Sequence, residues 1–215
     1  LGMLNGKILV NIDTEDDDEL TIGCAGGIDV TATHSFDMEP AQSNALAYEI
    51  TIKGLNGGHS GMDIHKGLGN ANKLMNRLID RLGDGVQLIA LDGGSLRNAI
   101  PRESVAHVLW NGNEESFEEV ITSVGEEFID EHATTDSDIE ISCESTERPD
   151  AALSMAASQS IISAIYACPN GIYRMSPDIA GLVQTSNNLA RVALKDGDFT
   201  VMCLTRSAVE TEKMD

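Results

Sequence analysis

The chain has 215 residues, with 14 Lys+Arg against 35 Asp+Glu and a formal net charge of −21. That length suffices for a sizeable core, in one large domain or two small lobes. The acidity speaks against nucleic-acid and membrane partners, since phosphates and anionic lipid need a basic footprint, and it fits a cytoplasmic protein. No apolar stretch approaches the roughly 18 residues of a membrane helix, and no signal-peptide pattern is visible. Cys24, Cys143, Cys168 and Cys203 have no CxxC or zinc-ribbon spacing and read as reduced thiols. The start at Leu1 and the end at Asp215, just after a strand-like run, are expected of a piece of something longer.

Along the chain, Lys7 to Ile12 and Leu20 to Cys24 read as short strands. Asp13 stands at the end of the first, where α/β enzymes place metal ligands and catalytic carboxylates. By composition alone the run Asp13 to Glu19 reads first as a solvated acidic turn. It is not a calcium loop, because its sixth position is Asp18 and its twelfth Cys24. Ile28 to His34 and Leu46 to Lys53 alternate as half-buried antiparallel strands do.

Next comes the most informative stretch, Gly54-Leu-Asn-Gly-Gly-His-Ser-Gly61. Its glycines permit close backbone approach, and His59 can donate a hydrogen bond or titrate near neutrality. A lone loop histidine can also be a local cap. From Asn70 a stripe of Leu74, Leu78 and Leu82 with Met75 and Ile79 predicts a helix ending at Gly83. Strands follow at Val86 to Leu91 and Ser104 to Trp110, then an acidic amphipathic helix over Glu114 to Glu131. A strand at Ile139 to Cys143 leads to a helix over Pro149 to Ala167. Strands at Leu182 to Ala190 and Asp198 to Leu204 end at Thr205-Arg206-Ser207. Gly67 and Gly69 complete no dinucleotide fingerprint, since the third position is Asn72. Antiparallel strands with turn-length connections and about three helices predict an α+β fold, a mainly antiparallel sheet with helices packed on one face.

Seven segments together resemble one family. They are Asn11 to Glu15, Ile22 to Gly27, Lys53 to Gly61, Ile64 to Leu74, Gly93-Gly-Ser-Leu-Arg-Asn-Ala-Ile-Pro-Arg-Glu103, Pro169 to Gly171 and Cys203 to Ser207. In this order and at similar spacing they resemble bacterial aminoacyl-histidine dipeptidases, di-zinc metallopeptidases of the clan that also holds carnosinase and glutamate carboxypeptidase. The resemblance implies the two-lobed lid, or dimerisation, domain of such an enzyme. Residues 1–24 would be a flank of the catalytic domain, 25–200 the lid and 201–215 a strand returning to the catalytic domain. It implies a homodimer acting on Xaa-His dipeptides with two zinc ions, most of whose ligands have no counterpart in this chain.

On this resemblance Asp13 matches a metal ligand. His59 matches a lid histidine that reaches into the partner subunit's active site and polarises the scissile carbonyl. Asn98 matches an asparagine that contacts substrate, although it reads equally as a turn residue before Pro101. Arg206 matches an arginine that clamps the substrate's terminal carboxylate. The rival expectation is a purely structural dimerisation module, or the lid of a related peptidase or N-acyl amino acid hydrolase. The isolated chain is expected to be inactive.

Overall fold

In the computed structural model, residues 6–8, 10 and 24–214 are described, and their alternating runs gather into one large antiparallel sheet backed by helices. Asp13 and most of the strands expected over 7–12 and 20–24 lie outside the described residues. The strands are β1 (Gly26–Ser35), β2 (Met38–Pro40), β3 (Leu46–Lys53), β4 (Gly58–His59), β5 (Val86–Gly93), β6 (Ala99–Ile100), β7 (Ser104–Trp110), β8 (Glu140–Ser145), β9 (Ala151–Leu153), β10 (Gly171–Met175), β11 (Val183–Lys195) and β12 (Asp198–Ser207). The helices are α1 (Ala71–Leu82), α2 (Glu114–His132), α3 (Met155–Ala167) and α4 (Glu210–Met214).

The main sheet runs β1-β12-β11-β5-β7-β3-β8, with β10 paired to β11 beyond the short β5 contact. Its ladders are antiparallel, so register decides which side chains share a face. On one face Ile50 lies opposite Ala106 and Cys143, and Tyr48 lies opposite Val108. These join Leu74, Leu78 and Ile79 of α1, Phe117 and Phe128 of α2, and Ile161 and Ile165 of α3 in the main core. Tyr48 stacks on Phe117 with ring centroids 4.0 Å apart. Among the described residues the apolar cluster on the other face is small, Ala45, Ala47, Leu109 and Ala152, near the β2–β9 pair.

Helix α1 begins where the Asn70 side chain accepts the N–H groups of Asn72 and Lys73. It ends at Gly83, whose positive φ of 75° suits glycine. Three boundaries correct the sequence expectation. Helix α3 starts at Met155, after the Ser154 cap, because Ala151–Leu153 pairs with β2 instead of joining the helix. Strand β11 continues past Ala190 to Lys195, through a bulge between Leu189 and Arg191 that resets its alternation. Strand β12 reaches Ser207, so Arg206 lies within the ladder, flanked by Gly27 and Ser186.

Candidate functional site

The face away from the helices carries the glycine loop. The short β4–β6 ladder sets His59 opposite Ala99, and the Ser60 N–H donates to the Asn98 carbonyl at 2.8 Å. The His59 and Asn98 loops are thus one backbone unit.

Within it, the His59 ring is held by its own loop. Nδ1 accepts the Met62 N–H at 3.1 Å and the Gly61 N–H at 3.3 Å. An imidazole nitrogen that accepts cannot carry the proton, so the neutral ring carries it on Nε2, which has no protein partner among the described residues. Asp63 fixes the backbone of the same turn. Its Oδ2 accepts the His59 N–H at 2.7 Å, and its own N–H donates to the His59 carbonyl at 2.9 Å. The Lys66 side chain, 2.6 Å away, and then the His59 N–H hold the Asp63 carboxyl below the usual carboxylate range. A Cβ at position 58 would stand 2.8 Å from the Asp63 side chain, so glycine is required for that approach.

Arg206 reaches the loop from β12, its Nε donating to the Ser60 hydroxyl at 3.3 Å. Its cross-strand neighbours, Gly27 and Ser186, are small and leave room for the guanidinium to lean over. A Cβ added at Gly61 would lie 3.2 Å from Arg206 Nε and 3.3 Å from His59 Cε1. The two side chains therefore flank one small space that glycine keeps open. The structure brings His59 and Arg206 together and sets the Asn98 turn beside them. The Asn98 side chain is exposed, and only its carbonyl is engaged among the described residues.

Sequence reasoning did not single out the groups that hold these loops. Asp136, fully buried, accepts the N–H groups of Asn56 and Gly69, each at 2.8 Å, and lies 3.6 Å from His132 Nδ1. It pins both flanks of the His59 loop. Asn188, 1% exposed, donates to the carbonyls of Arg97 and Ala99 and frames residue 98 from both sides. Arg97 donates in turn to Thr31 of β1 at 2.7 Å. A serviceable signal existed only for Asp63, an aspartate inside a glycine-rich turn. Asp136 sits in the polar run Thr134-Thr-Asp-Ser-Asp138, which reads as a solvated loop.

Among the described residues no three His, Cys, Asp or Glu side chains gather as a metal site would require. They do not fit a zinc pair by themselves. No helix of the described residues is long and apolar enough to cross a membrane.

Comparison with known proteins gives a consistent outcome. Residues 41–136 match the family described as peptidase dimerisation domain. The chain is 36% identical over 213 residues to the cytosol non-specific dipeptidase of Escherichia coli (strain K12), covering 98% of this chain and 44% of that protein. Its fold superposes on the crystal structure of aminoacylhistidine dipeptidase from Vibrio alginolyticus with a TM-score of 0.88 and 37% identity, over 99% of this chain and 44% of the other. The chain thus spans less than half the length of the relatives it matches.

Proposed function

We propose, from the match of residues 41–136 to the peptidase dimerisation domain family, that the chain is the lid of a cytoplasmic, zinc-dependent dipeptidase that cleaves Xaa-His dipeptides as a homodimer. The observation that carries this reading is the pairing of a preset His59 with Arg206 around the space beside Gly61.

The roles follow from the donors. Arg206 offers a planar guanidinium for the dipeptide's terminal carboxylate, a bidentate match in charge and shape. His59 Nε2–H donates to the scissile carbonyl oxygen, where negative charge builds as the carbon becomes tetrahedral. The ring spends no free energy reorienting at that moment, because its own loop already holds Nδ1. The Asn98 amide, exposed on the adjoining turn, is the further substrate contact. The zinc pair draws its ligands from outside the described residues, Asp13 among them, and the lid side chains act on substrate alone.

Free-histidine release from an Xaa-His dipeptide with added zinc, by this chain beside a full-length enzyme that contains it, tests the reading. Release by the full-length enzyme alone is expected; release by the chain alone contradicts the division of labour. Within the full-length enzyme, His59→Ala should lower kcat about 10²–10³-fold, the usual loss for one oxyanion donor, with dimer mass unchanged. Normal turnover with weakened dimers would favour a purely structural module instead.

A further inference from the structure

On the helix-facing side of β12, on the face opposite Arg206, two cysteines meet. Cys168 follows α3 and Cys203 sits within β12, 35 positions further along the chain, yet their Sγ atoms are 3.5 Å apart as free thiols. Cys203 is buried and Cys168 half-buried. Both line a cleft of about 410 Å³ whose other walls include Ile28, Val30, Tyr173 and Met214. A small reagent can therefore reach sulfurs that bulk protein surface cannot.

The surroundings favour a thiolate at one of the two. Lys73 Nζ donates to the carbonyls of Ile165, Tyr166 and Cys168, at 2.9, 3.0 and 2.8 Å, which keeps a positive charge beside the pair. Either sulfur can donate in this contact; with Cys168 as the donor, that bond, against the effect of burial and with help from the charge on Lys73, holds the Cys203 thiol below its usual range. That same bond, with burial, pushes the Cys168 thiol up. The thiolate is the nucleophilic form, so oxidation should start at Cys203.

We propose that Cys168 and Cys203 are a dithiol modification site that a peroxide converts reversibly to a disulfide. The Cys203 thiolate attacks a peroxide oxygen; an S–O bond forms, the O–O bond breaks, and hydroxide leaves to be protonated to water. The Cys168 sulfur then attacks the Cys203 sulfur, forming the S–S bond and expelling hydroxide, which takes up the Cys168 proton as water. Two thiols lose two electrons, one hydrogen peroxide gains them, and two waters result. The bond would tie the end of α3 to β12, three residues before Arg206 and on the opposite face of its ladder.

The test treats the full chain with hydrogen peroxide, alkylates remaining thiols with N-ethylmaleimide after unfolding, and maps peptides without reduction. A Cys168–Cys203 peptide is expected, forming about tenfold faster than any link to Cys24 or Cys143 and reversed by dithiothreitol. In Cys168→Ser, dimedone should label Cys203 as the trapped sulfenic acid. Links to Cys24 or Cys143 at equal rates would overturn the proposal. So would oxidation to sulfonic acids without a link, or dimedone labelling that spares Cys203 in the variant.

Discussion

The two faces of the sheet are held by different physics. On the helix face, Ile50, Leu78, Phe117 and Phe128 are buried to 1% exposure or less, and non-directional packing tolerates exchange for another side chain of similar volume. On the loop face, little apolar area is buried and position is set by a few directional bonds from Asp63, Asp136 and Asn188 to backbone groups. A shape-conserving change is mild on the first face and disruptive on the second. Stability therefore resides mainly with the helices, and the placement of His59 with the polar clamps.

The comparison breaks most sharply at Phe128, which is fully buried and carries the Arg77 guanidinium 5.0 Å from its ring centroid. Phe128→Ala should cost about 3–5 kcal/mol of unfolding free energy, read from urea titrations. Turnover per folded enzyme molecule should stay unchanged. A loss of turnover without a loss of stability would reverse the assignment of the two faces.

Asp136→Asn probes the opposite case. The change keeps the shape but turns one of two acceptors into a donor that faces a backbone N–H. It should cost about 1–3 kcal/mol, and it should also lower kcat in the full-length enzyme through misplacement of the His59 loop. A variant with the stability loss but wild-type kcat would confine Asp136 to a packing role.

The smallest effect is that of Asp63 with pH. Its folded carboxyl is more acidic than in the unfolded chain, where a value of about 4 applies. The unfolded state therefore binds more protons in that range. The contribution is complete above about pH 4 and is lost as pH falls through the lowered folded value. The gap in urea midpoint between wild type and Asp63→Asn should be constant near neutrality and close on acidification. A gap that widened in acid would contradict the Lys66 and His59 partners.

Much of the helix face was legible in the sequence because burial there follows a period. The Leu74, Leu78, Leu82 stripe gave α1, and the alternation of Leu46 to Lys53 gave β3. What failed was decided by distant partners. Pro149 to Leu153 resembles a helix start until β2 claims Ala151–Leu153. The alternation of β11 breaks at a bulge in its ladder with β12, between Leu189 and Arg191.

On the loop face, His59 and Arg206 stood out through a family resemblance, and the structure brings them together. Asp136 and Asn188 did not stand out, since their partners are backbone amides and carbonyls far along the chain and leave no trace in side-chain pattern. The nearness of Cys168 to Cys203 was equally hidden by sequence separation.

The loop face presents His59 with Nδ1 engaged and Nε2–H free of protein partners among the described residues. The most direct measurement is the long-range proton–nitrogen correlation spectrum of the imidazoles at about pH 8.5, well above the ordinary histidine value, with His59→Gln to assign the signal. The Nε2–H tautomer is expected for His59, with the unprotonated nitrogen shift at Nδ1. An Nδ1–H tautomer, or rapid averaging between the two, would contradict it.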